Sequence, residues 1–143
     1  MKKLIALFTV LFVLYSCEKP CGEASTGPPN FRVEIIDATT NENVFTNGSY
    51  TQAQLQVTTP NSTSFNYSFI SENNANVIGI SPAWTEGTFT TYIKLNNAVT
   101  IPVQTKVYKS TTKCFENYFI EKVEVIGYTF TQDVQTGIYK IKI

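Results

Sequence analysis

The chain predicts an all-β fold, an antiparallel sandwich or small barrel of about seven to nine strands, on three observations. After residue 30 every strong hydrophobic signal repeats with a period near two, the spacing of a strand with one buried face. The breaks between these runs hold Asn, Gly, Pro and Ser, which supply the backbone angles of turns. Twenty threonines add β-branched side chains that suit a pleated surface better than a helix. Strands at this spacing, with no helical stripe between them and no internal repeat, pack as two sheets or close on themselves.

The runs follow in order. Phe31, Val33 and Ile35 alternate with Arg32 and Glu34, and the polar loop Asp37 to Asn43 leads on to Val44 and Phe45. That loop carries several side-chain oxygens but lacks the alternating carboxylates and the glycine of a calcium loop, so it reads as a turn bonded to its own backbone. Ala53, Leu55 and Val57 alternate with glutamines, and Phe65, Tyr67 and Phe69 with Asn66 and Ser68. Phe89, Thr91, Ile93 and Leu95 form the next run, then Val99, Ile101, Val103 and Val107. Pro102 falls on the opposite parity of that run and suggests an edge strand or a bulge. Val123 and Val125 alternate with Lys122 and Glu124, and Tyr139, Ile141 and Ile143 with Lys140 and Lys142. Asn47-Gly48 reads as a hairpin turn, and the remaining breaks are Pro60-Asn61, Asn73-Asn74, Ser81-Pro82, Asn96-Asn97 and Gly137. Most of the 10 Phe and 8 Tyr are expected to fill the space between sheets. Trp84, in the loop Ser81 to Gly87, is the exception; with Tyr92 on the polar parity of the next run it forms a possible ligand contact.

The first seventeen residues, MKKLIALFTVLFVLYSC, have a positive start at Lys2 and Lys3, an apolar run Leu4 to Leu14 too short to span a bilayer, and small Ser16 before Cys17. Leu14-Tyr15-Ser16-Cys17 resembles a lipobox, which implies cleavage before Cys17 and lipidation of that residue. The chain then divides into a signal peptide at 1–16, a lipidated cysteine and Pro/Gly/Ser tether at 17–30, and one β-sandwich domain at 31–143. With the opening FRVEIIDATTNENVF, the later KCFENYFIEKVEVIGY and the final lysine-alternating strand, the chain resembles small lipoproteins of Bacteroidota. Their sandwiches are similar to immunoglobulin-like or transthyretin-like folds. The resemblance implies attachment to the outer membrane, in either the periplasmic or the cell-surface leaflet. Glu18 and Glu23 match in part the acidic signal for surface export in that phylum. It carries no catalytic residue with it.

With Cys17 assigned to lipid, Cys21 and Cys114 remain, either as a disulfide in an oxidising compartment or as two free thiols. Two cysteines without histidine make no zinc site, so no metal or cofactor is expected. Loss of Lys2 and Lys3 leaves nine basic against 11 acidic side chains, with a single arginine and no lysine run, which excludes nucleic acid as a partner class. The absence of histidine removes the Ser-His-Asp and Cys-His mechanisms. The expectation is therefore a non-catalytic binding or structural accessory lipoprotein of the envelope, with the membrane, a glycan or an envelope protein as partner. The alternatives are a glycan hydrolase built on two carboxylates and an inhibitor of a host or rival hydrolase.

Overall fold

In a computed structural model that describes residues 29–72, 75–112 and 114–143, the period-two runs become the strands of two sheets. The strands are β1 (Phe31–Ile36), β2 (Leu55–Thr58), β3 (Tyr67–Glu72), β4 (Ala75–Ile80), β5 (Gly87–Leu95), β6 (Val99–Thr111), β7 (Glu116–Val125), β8 (Thr129–Gln132) and β9 (Tyr139–Lys142). One sheet runs β3-β4-β1-β9-β8 and the other β2-β5-β6-β7. The expected sandwich is thus present, with nine strands. All pairings are antiparallel except β1 with β9, which run parallel through Val33 to Ile36 against Tyr139 to Lys142.

Between the sheets the alternation dictates which side chains meet. Val33 and Ile35 of β1, Ile78 and Ile80 of β4 and Ile141 of β9 face Val57 of β2, Ile93 and Leu95 of β5, and Ile101 and Val103 of β6 in one cluster. Burying a side chain of this size stabilises the fold by about 1.5–3 kcal/mol. The aromatic rings are placed differently from the expectation. Among the described residues Phe31 is the lone aromatic in the buried hydrophobic set, while Phe45, Tyr50, Phe65, Tyr67, Phe69, Tyr128, Phe130 and Tyr139 pack against the cluster from its periphery. Branched aliphatic side chains interdigitate within the roughly 10 Å gap between packed sheets, and the rings close its margins.

Three local expectations are corrected. Pro102 lies in β6, an interior strand of its sheet, and not at the bulge, which falls between Lys106 and Val107. Its carbonyl accepts a hydrogen bond from the N–H of Ile126, one residue past the end of β7, so the missing proline N–H falls where the β6–β7 ladder has already ended. Asn47-Gly48 sits in an irregular loop rather than between two paired strands; Gly48 takes a φ of +79° and Asn47 Oδ1 accepts from the N–H of Ser49. Ala53 belongs to a single 3₁₀ turn, Gln52–Gln54, so the strand begins only at Leu55.

The β6–β7 hairpin outruns its neighbour. β5 pairs with β6 as far as Gly87 opposite Val107, whereas β6 and β7 continue pairing to Thr111 opposite Glu116. The bulge marks this departure: Lys106 faces Lys122 and Val107 faces Ile120, leaving Glu121 as the extra residue. Glu121 accepts a 2.9 Å hydrogen bond from Lys106 Nζ.

Candidate binding groove

Residues Ser81 to Glu86 carry the chain from β4 in one sheet to β5 in the other. Pro82 cannot donate to a ladder, and Gly87 opens β5 at a φ of +147° that side-chain-bearing residues rarely adopt, so the segment stays irregular between two regular strands. Trp84 stands in its middle and is 49% exposed, as its position outside the alternating runs predicts. It is not loose. The Tyr118 ring of the projecting hairpin meets it edge to face, with centroids 6.2 Å apart and planes at 78°.

Trp84 also walls a groove of about 410 Å³, shared with Asn66, Tyr67, Ser68, Gly79, Ser81 and Pro82. Gly79 and Ser68 are register partners in β4 and β3, and they form the floor. Gly79 has an ordinary strand backbone, so conformation does not demand a glycine there; a Cβ at this position would run into Ser68 Oγ. Glycine inside a strand weakens it and marks a close approach. Tyr67 is fixed by its hydroxyl, which donates to the Leu55 carbonyl at 3.2 Å across to the other sheet. None of the lining residues is charged.

The hairpin carries rings on both faces. Opposite the Trp84 side, Tyr108 and Phe119 are stacked at 5.3 Å and remain 40% and 43% exposed. Lys109, the register partner of Tyr118, pairs with Glu116, and that hydrogen bond holds its ammonium above the ordinary 10.5. The ion pair keeps the hairpin end polar between its two aromatic surfaces.

Tyr92 is not part of this site. It is half-buried on the outward parity of β5, between Thr58 and Pro102, five residues beyond Gly87 and so about 17 Å further along the strand. The loop that presents Trp84 ends before the strand that carries Tyr92 begins, and the structure does not bring them together.

Glu116, Glu121, Glu124 and Asp133 stand in surface ion pairs. A depression of about 380 Å³ on the outer face of the four-stranded sheet contains Glu121 and Glu124, with Lys106 bonded to the first and Lys122 to the second. This is an exposed ladder of alternating charge, not two acids opposed across a cleft. Asp37 Oδ1 accepts from the N–H groups of Thr39 and Thr40 at 2.8 and 2.9 Å, as expected of a turn bonded to its own backbone. Those bonds, that of Thr40 foremost, hold its carboxyl below the ordinary 3.8. Asp133 is lowered in the same way by the Thr136 and Gln135 N–H groups and by Lys140. A general acid needs the opposite shift. Among the described residues no group of three or more acidic or cysteine side chains is placed to hold a metal ion.

Cys17 and Cys21 lie outside the described residues; Cys114 is exposed in the turn between β6 and β7. Single-strand reasoning singled out Trp84 but missed Tyr118, Ser68 and Gly79, because the groove is assembled across strand pairs. The glycine within NVIGI was the signal available.

Compared with family models, with curated proteins and with solved structures, the chain has no match.

Proposed function

We propose that the chain is a non-catalytic binding or structural accessory lipoprotein of a bacterial cell envelope, held at the outer membrane by lipid on Cys17. The observation that carries this reading is the half-exposed Trp84, braced by Tyr118 and walling a preformed groove. Exposed tryptophan is enriched among residues that dominate binding energy, and sandwiches commonly present ligands to loops at one end. The anchor rests on the Leu14-Tyr15-Ser16-Cys17 sequence, and one acyl chain alone would hold only transiently, so a lipoprotein anchor of more than one chain fits permanent attachment.

A disulfide between Cys21 and Cys114 belongs to the same proposal. It is supported by the exposed place of Cys114, whose side chain is engaged rather than free. Such a bridge would tie the tether to the turn at the end of the projecting hairpin.

Growth with labelled fatty acid and fractionation of the membranes test the anchor. Labelled protein is expected in the outer-membrane fraction, with Cys17→Ala unlabelled and left as precursor. Label entering Cys17→Ala would refute the assignment. Intact mass after alkylation without reductant checks the bridge: two alkylated cysteines in freshly exported protein would remove it.

A further inference from the structure

We propose that the groove between β3, β4 and the Ser81–Glu86 loop is a carbohydrate site for an uncharged glycan, with Trp84 as the platform on which a sugar ring stacks. The inference rests on the binding-domain reading above and names its ligand class. Three features point the same way. A pyranose ring has one face of C–H bonds that is apolar and weakly positive, and it complements the negative face of an indole held in place. Trp84 offers such a ring, half-exposed and fixed by Tyr118 at one edge. Around it stand neutral hydrogen-bonding groups, the Asn66 amide and the Ser68 and Ser81 hydroxyls, which suit sugar hydroxyls.

The second feature is charge. A site for phosphate, sulfate or uronate needs arginine or lysine forks, and a site for a basic peptide needs carboxylates. Neither type lines this groove. On the hairpin that carries Tyr118, Lys109 and Glu116 neutralise each other.

The third is Gly79. Its position next to the last residue of β4 sacrifices side-chain packing, and its φ does not require glycine. What the missing Cβ makes room for is Ser68 Oγ, so this hydroxyl sits close against the β4 backbone in the lining of the groove, where it can bond a sugar hydroxyl.

Trp84 is the single tryptophan, so its emission reports this site alone. The full-length lipoprotein, held in a zwitterionic detergent without sugar headgroups, is titrated with neutral hexaoses of glucose, mannose and xylose and with an acidic oligogalacturonate. At least one neutral hexaose is expected to give a saturable blue shift, with an affinity changing less than about twofold between low and high salt. Calorimetry should show that Trp84→Ala weakens binding more than about tenfold. Trp84→Phe, which keeps a ring, should retain part of it, and Gly79→Val, which fills the floor, should abolish it while circular dichroism stays that of the parent. The assignment is overturned if no neutral hexaose shifts the emission, if the acidic one binds better and in a salt-dependent way, or if Trp84→Ala binds within about twofold of the parent. If instead a photo-crosslinker at position 84 captures an envelope protein in intact membranes while no sugar binds, the carbohydrate assignment fails and the binding-domain reading stands.

Discussion

Between the sheets, the side chains that lose all contact with water are Val33, Ile35, Ile78, Ile80, Ile93, Leu95, Ile101, Val103 and Ile141, all aliphatic and most β-branched. At the end carrying the β6–β7 hairpin the population reverses, and Trp84, Tyr108 and Phe119 keep 40% or more of their surface exposed. The first region has hydrophobic area and uses it internally. The second has aromatic rings and leaves them partly exposed, braced by Tyr118 and by the Tyr108–Phe119 stack. Under the proposed binding role, stability and recognition fall to different residues, and substitution should separate them.

The largest effect is expected at the centre. Ile101→Ala removes methyl groups from a position with 0% exposure and should lower unfolding stability by about 2–5 kcal/mol in urea titrations. It should leave ligand-induced changes in Trp84 emission intact in the folded fraction; a lost response would mean the two regions are coupled.

A smaller effect of opposite sign is expected at Thr105. It is 1% exposed in the alternation Val103, Thr105, Val107, and its hydroxyl has no hydrogen-bond partner among the described residues. Thr105→Val keeps the shape and removes the orphaned polar group, so stability should rise by about 1 kcal/mol. A fall would show that the hydroxyl is satisfied by bound water.

Trp84→Ala is expected to lower unfolding stability in urea titrations by under about 1 kcal/mol, because the ring is half-exposed and its loss leaves no closed cavity. A loss of several kcal/mol would place Trp84 in the first region rather than the second.

The acid limb gives the smallest effect. Asp37 and Asp133 have folded carboxyls below the ordinary 3.8, chiefly through backbone N–H bonds. A depressed folded value contributes stability that is present above pH 3.8 and lost as pH falls through the folded value. The double variant Asp37→Asn with Asp133→Asn should flatten the decline in stability below pH 3.8. An unchanged slope would assign the acid response to other carboxylates.

Most of the sandwich was legible because one buried face per strand writes itself into the chain at every second residue. The runs at Phe31, Phe89, Val99 and Tyr139 all became strands. β4 was not legible: in ANVIGI both Val77 and Ile78 are buried, so the alternation is lost. β8, with only TFTQ, is too short to show a period. Of the groove, Trp84 could be read from its surroundings, since Pro82 and Gly87 bracket it. Gly79 and Ser68 could not, because they meet only through strand pairing. Tyr92 misled for the complementary reason: parity told which face it occupies and nothing of how far along the strand it sits from Trp84.

The parallel pair of β1 and β9 gives the chain a particular order of assembly. β5, β6 and β7 form a meander of near neighbours that closes with short loops. β1, by contrast, pairs with β4 along one edge but along the other waits for a partner more than a hundred positions away: Val33 meets Tyr139, and Ile143 donates its N–H to the Ile36 carbonyl. Pairing of such high contact order is slow, since the loop must close before the contact rewards it. A chain emerging amino end first would carry a first strand open along one edge until its final residues emerged. Pulsed hydrogen exchange should accordingly find the β5–β7 amides protected before those of β1.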